Sequence, residues 1–174
     1  NDTQGIWLHK YVWGQINPGG LIESYWYDTQ HIYPTGRDLR PVFGHYYNFI
    51  KDIPLSNGNY TDVAATSSNT NLRAWGQKDT TNGRAHLWID NTNHTWKNVV
   101  DGINIASQSA TISFSGMPAG AYTVSRYDTY QGTVYQTDNI NVDTSGTVNL
   151  TVSNLGTDIA VKVERQTGTP SPTP

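Results

Sequence analysis

The 174-residue sequence contains no cysteine. That excludes disulfides, thiolate metal sites and a cysteine nucleophile, and it leaves the packing of the core to hold the chain together. Charge is also scarce. Asp, Glu, Lys and Arg make up 14% of the residues, against roughly 25% in an average soluble protein. Eleven basic and fourteen acidic side chains leave a net charge of −3, so no basic stripe is available for nucleic acid or an anionic membrane. No apolar run approaches the roughly 20 residues that span a bilayer. There is no Gly-x-Ser-x-Gly elbow, P-loop, dinucleotide fingerprint, His-Glu-x-x-His pair or EF-hand loop. No cofactor and no metal are therefore expected, and the scattered Asp residues locate no calcium site.

Six Trp and eleven Tyr are many for this length, and they are interleaved with Asn, Thr, Ser, Gln and Gly. Flat aromatic faces beside neutral polar groups suit a neutral, hydroxyl-rich ligand. The same aromatics would also serve to fill a β core.

The pattern changes near Pro54. Before it, Ile6, Leu8, His9, Val12, Trp13 and Ile16 recur at helical spacing until Asn17-Pro18-Gly19-Gly20. Val42, Phe43, Tyr46, Tyr47, Phe49, Ile50 and Ile53 predict a second helix, with Pro41 in its first turn. Between them Leu21–Asp28 reads as a buried strand, followed by an irregular loop to Arg40. After Pro54, alternating segments predict strands at 60–67, 71–78, 84–90, 110–115, 120–129, 133–142, 147–152 and 158–165, with one or two helical turns within 91–101. The fold class expected is mainly β: an antiparallel β-sandwich preceded by a helix–strand–helix fragment of a (β/α)8 barrel. The boundaries expected are 1–53 for the fragment, 54–166 for the sandwich and 167–174 for a Pro/Thr linker.

The stretch DTQGIWLHKYVWGQINPGGLIESYWYD resembles the last βα units of bacterial glycoside hydrolases of the (β/α)8-barrel clan. The matching positions are Gly5, Leu8, His9 and Trp13, then Tyr25, Trp26, Tyr27 and Asp28. FGHYYNFIKDIPL resembles the helix that closes such barrels, while GAYTVSRYDTYQG and TDIAVKVER resemble strands of their accessory sandwich. The resemblance implies a secreted, extracellular, multimodular polysaccharide-degrading enzyme. The beginning of the chain at Asn1, without Met, fits a mature or cut form. The resemblance also implies that the two carboxylates of the glycosidase mechanism lie on barrel strands outside this chain. Glu23 is then only a weak catalytic candidate, more readily a local ion-pair or loop partner. The partners implied are a neutral plant-type polysaccharide and the N-terminal remainder of the barrel as a second chain.

Four residues are candidates for substrate binding: Trp26, Asp28, Trp75 and Trp88. Trp26 either lies under a sugar ring or packs on Trp13. Alternation places Arg73, Trp75 and Gln77 opposite Leu72, Ala74 and Gly76, and His86, Trp88 and Asp90 opposite Ala85, Leu87 and Ile89. Trp75 and Trp88 thus form either a sugar-binding platform or glue beneath the barrel. The platform reading corresponds to a self-sufficient carbohydrate-binding module, and an adhesion sandwich without a sugar ligand is a third possibility. His9 and His45 fit packed helix faces. Asp128 and Thr129 fit a turn cap. Asn59, Asn93 and Asn149 begin glycosylation acceptor triplets, which matter only in a eukaryotic secretory host.

Overall fold

The computed structural model describes residues 2–17 and 28–166. Strand outweighs helix, 41% to 20%. The strands are β1 (Tyr60–Asp62), β2 (Thr66–Ser67), β3 (Leu72–Asp79), β4 (Arg84–Asn91), β5 (Gln108–Phe114), β6 (Gly120–Asp128), β7 (Thr133–Val142), β8 (Val148–Leu155) and β9 (Asp158–Arg165). They form a six-stranded sheet in the order β1-β3-β4-β9-β6-β7 and a three-stranded sheet in the order β2-β5-β8. Every pairing is antiparallel.

The alternation read within these strands determines which side chains meet. Ala85, Leu87 and Ile89 of β4 point inward with Val161 and Val163 of β9, and they pack on Ile112, Leu150 and Val152 of the smaller sheet. Each fully buried aliphatic side chain of this kind contributes roughly 1.5–3 kcal/mol. One strand expected from the sequence is divided. Residues 60–67 form β1, paired with β3, and β2, paired with β5 in the other sheet. The chain switches sheets between them because Val63 and Ala65 drop into the shared core.

The opposite face of the six-stranded sheet carries a second, aromatic core. Helices α1 (Ile6–Trp13) and α2 (Arg40–Ile50) lie on it. Leu8, Val12, Trp13, Ile16, Tyr46 and Phe49 pack there against Trp88, Tyr127 and Ala160 of the sheet. Trp13 is central, with its ring centroid 5.2 Å from Tyr46, 5.6 Å from Phe49 and 6.0 Å from Tyr127. The described residues of the two helices therefore share one core with the sheet.

Local chemistry fixes where α1 starts. The Asp2 carboxylate accepts from the N–H groups of Ile6 (3.0 Å) and Trp7 (2.8 Å), two donors left over at the helix start. Gly5 precedes the helix at φ 69°, and a Cβ there would lie 2.5 Å from Leu39. A third helix, α3 (Trp96–Val100), is capped by Thr95 Oγ1, which accepts from Asn98 N–H at 3.1 Å. Asp28 begins a π-helical turn, Asp28–Ile32, rather than ending a strand. The rest of the strand expected at Leu21–Asp28 lies outside the described residues, as does the 167–174 segment.

Candidate functional site

The seam between α1 and the sheet carries more than hydrophobic contact. Asp158, at the start of β9, is buried, and its Oδ1 accepts three hydrogen bonds. The donors are His9 Nε2 (2.9 Å), Trp88 Nε1 (2.8 Å) and Thr129 Oγ1 (2.6 Å). An ionised carboxylate only accepts, so Nε2 is the protonated nitrogen of His9. The His9 ring stacks on Tyr130 at 3.9 Å with 9° between planes. Burial alone would push the Asp158 carboxyl up, but the charge of His9 and the three donors outweigh it and hold the group below the usual carboxylate range.

One strand away, the buried Asp90 pairs with Lys10 of α1 and with Arg73 of β3 (2.8 Å to Arg73). Here burial dominates, and the neighbouring Asp158 adds to it, so Asp90 is raised despite both cations. Lys10 also donates to the Asn91 carbonyl at 3.0 Å. Between them His9 and Lys10 tie a single helical turn to two buried carboxylates.

This arrangement decides where the tryptophans stand. Trp75 and Trp88 do lie on the face opposite the inter-sheet core, as alternation requires. Their rings meet edge to face at 4.8 Å and 82°. Trp88 is only 1% exposed, however, so it offers no face to a sugar. Trp75 is half-buried, and its Nε1 donates to Gly14 O at 3.1 Å, just past the end of α1. Both rings pack beneath the helices in this structure. Alternation identifies a strand's two faces but not what later covers the outer one.

The remaining candidates fall differently. Glu23 and Trp26 lie outside the described residues. For Asp28 only the backbone is described. His9 is packed, as expected. Asp128 caps its turn by accepting from the N–H groups of Tyr130 (2.9 Å) and Gln131 (2.8 Å). Thr129 does not share that role but points inward to Asp158. Among the described residues no group of three or more His, Asp or Glu side chains is arranged to hold a metal.

A cleft of about 900 Å³ opens at the start of α1, lined by Asp2, Trp7, His31, Pro34, Arg37 and Leu39. Arg37 holds its wall by donating to the carbonyls of Asp2 (3.0 Å) and His31 (2.8 Å). Trp7 is 57% exposed at the rim. Helical periodicity passes over Trp7 because it falls between the core positions Ile6 and Leu8. That misfit, an aromatic off the apolar stripe, was the one signal in the sequence that could have found it.

The outer face of the sheet also holds a pH-sensitive group. His86 on β4 is buried, and its ring hydrogen-bonds the backbone of Ile16. Burial lowers it from 6.5 to about 4, with nearby Lys162 acting in the same direction. The unfolded chain takes up a proton near 6.5 while the folded one refuses it until about 4. Stability is therefore complete above pH 6.5 and falls as the pH drops through that window, by on the order of 3 kcal/mol. In urea unfolding measured from pH 7 to pH 4, His86→Gln is expected to flatten this part of the stability curve. An unchanged slope would show that His86 is not the group responsible.

No protein-family model matches the chain, and no curated protein matches it. Among solved structures, a chain described as "Glycoside hydrolase" superposes with a TM-score of 0.47 at 14% identity. The match covers 90% of this chain and 32% of the other, so this chain spans about a third of that structure's length. Identity this low carries no function from one to the other.

Proposed function

We propose that the chain is the C-terminal, non-catalytic part of a secreted polysaccharide-degrading glycoside hydrolase. In this reading the sandwich braces a barrel, and residues 1–53 supply that barrel's last units, with Trp26 on the sugar side. The observation that carries it is the covered outer face of the six-stranded sheet. Trp75 and Trp88 lie beneath α1, and His9 and Lys10 join that helix to the buried Asp158 and Asp90. A self-sufficient binding module built on those tryptophans would expose them. A brace needs the opposite: a stiff joint that holds the helices in a fixed pose.

The motif residues Gly5, Leu8, His9 and Trp13 support the same reading. Gly5 permits the tight entry to α1, and the other three form the joint itself. The Trp7 cleft gives the helical layer a mainly apolar recess with an aromatic at its rim and Asp2, His31 and Arg37 in its lining. Nothing in the composition favours a charged polymer over a neutral one.

Native mass spectrometry of the protein purified from its source, with polysaccharide hydrolysis assayed on the same material, tests the proposal. The expected result is a species well above 19.3 kDa, with the additional mass coming from a barrel-forming segment and with activity on a neutral glycan. A stable species at 19.3 kDa that hydrolyses nothing and recruits no further chain would overturn it.

A further inference from the structure

The two sheets differ in width, and the sandwich stands open where the difference is greatest. The three-stranded sheet ends at β8, whereas the six-stranded sheet continues to its edge strand β7. Between them runs a groove of about 450 Å³, within the roughly 300–1,000 Å³ range of small-ligand sites.

Its lining breaks the alternation that governs the rest of the core. On β6 the inward positions read Tyr122, Val124, Arg126. On β7 the residues paired with them are Ile140, Asp138 and Gln136. The apolar half lies under the smaller sheet, whereas the half reaching the open seam is Arg126, Gln136 and Asp138. An unligated core would place aliphatic residues there. Arg126 is 9% exposed, and its Nε donates to Asp138 Oδ2 at 3.0 Å. Gln136 Nε2 donates to both oxygens of the same carboxylate, at 2.8 and 2.9 Å. These contacts use only Nε of the guanidinium, so its two terminal nitrogens remain as donors.

A β-bulge completes the site. Arg126 pairs with Gln136 and Tyr127 with Val134, which leaves Tyr135 as the extra residue on β7. Neighbouring strand residues normally point to opposite faces, but a bulge re-aims one of them. As a result Tyr135 and Gln136 both line the groove. Tyr135 is 53% exposed. The facing wall is the edge of β8, where Leu150, Val152 and Leu155 of the core line the groove and the exposed Asn149, Thr151 and Ser153 alternate with them along its rim.

We propose that this open seam is a saccharide-binding groove, with Tyr135 stacked on a pyranose ring and Arg126, Gln136 and Asp138 holding its hydroxyls. The opposite charges of Arg126 and Asp138 cancel, so the groove as a whole selects a neutral ligand. A vicinal diol matches a guanidinium donor set beside a carboxylate acceptor, and the ring's C–H face matches the tyrosine. The hydrogen bonds from Gln136 and Arg126 keep Asp138 ionised, and so purely an acceptor, at neutral pH. A peptide adding as a further strand fits less well, because the bulge interrupts the β7 ladder. The class of ligand rests on the polysaccharide reading above, although the groove lies apart from the Trp7 cleft.

Native gels of the full chain containing arabinoxylan, glucomannan or hydroxyethylcellulose test this, together with amide-shift mapping using xylohexaose, mannohexaose and cellohexaose. The expected result is retardation by at least one polymer, with shifts concentrated on β6, β7 and β8. Tyr135→Ala, at an exposed position that should not disturb folding, should weaken binding roughly tenfold. Trp96→Ala, at an exposed aromatic on α3, should leave binding unchanged. Retardation that survives Tyr135→Ala, or shifts confined to the Trp7 cleft, would overturn the groove while leaving the hydrolase reading in place. No retardation and no shifts with any of these glycans would also overturn it, and the native-mass experiment would still decide the hydrolase reading independently.

Discussion

Asp158→Ala is expected to destabilise the protein by about 3–5 kcal/mol, the usual cost of removing one partner from a buried charged cluster. The loss of Coulomb attraction is the smaller part of this. With the carboxylate gone, His9 Nε2–H, Trp88 Nε1–H and Thr129 Oγ1–H lose their common acceptor. All three residues are buried, so water cannot take its place without opening the seam. Asp158→Asn keeps one acceptor oxygen near the same donors and should lose less. Urea unfolding at pH 7 measures both. Equal, small losses for the two variants would mean that the cluster relaxes freely and does not hold α1 to the sheet. The carboxylate also has a pH signature. Because its folded pKa is lowered, its contribution is present above the ordinary carboxylate range and is lost as the pH falls through and below it.

Trp13→Ala should cost a similar amount, about 3–5 kcal/mol, by a different route. The indole fills the space among Tyr46, Phe49 and Tyr127, and removing it leaves a cavity in a close-packed aromatic cluster. Because the inter-sheet core shares none of these residues, the damage should be local. Hydrogen exchange is expected to show α1 and α2 losing protection while β4, β6 and β9 keep most of theirs. Uniform loss across both sheets would refute the separation into two cores. Trp13→Phe should recover much of the stability, since among the described residues Trp13 Nε1 has no hydrogen-bond partner to lose.

Strand positions 71–78, 84–90, 133–142 and 158–165 were legible because each alternates over several residues and ends at a Gly, Asn or Asp turn. The two helices were legible from Ile6–Leu8–Val12–Trp13 and Tyr46–Phe49–Ile50, whose spacing is helical. The split of 60–67 between two sheets was not, because alternation continues across the switch and only the choice of partner strand reveals it. The bulge at Tyr135 was hidden for the same reason. It is a property of the β6–β7 register, whereas the sequence of β7 simply alternates.

For the candidate site, the sequence determined the faces: Trp75, Trp88, His86 and Asp90 opposite the aliphatic core. A period of two follows from backbone geometry and needs no tertiary information. Only the tertiary structure decided that this polar, aromatic face is roofed by α1 and α2, and that His9 and Lys10 meet carboxylates some 80 to 150 positions away in the chain. Such contacts depend on which surfaces are left to pair once the local elements have formed. The sequence fixes a helix or strand through neighbours a few residues apart, but it records a long-range ion pair only as two unconnected letters.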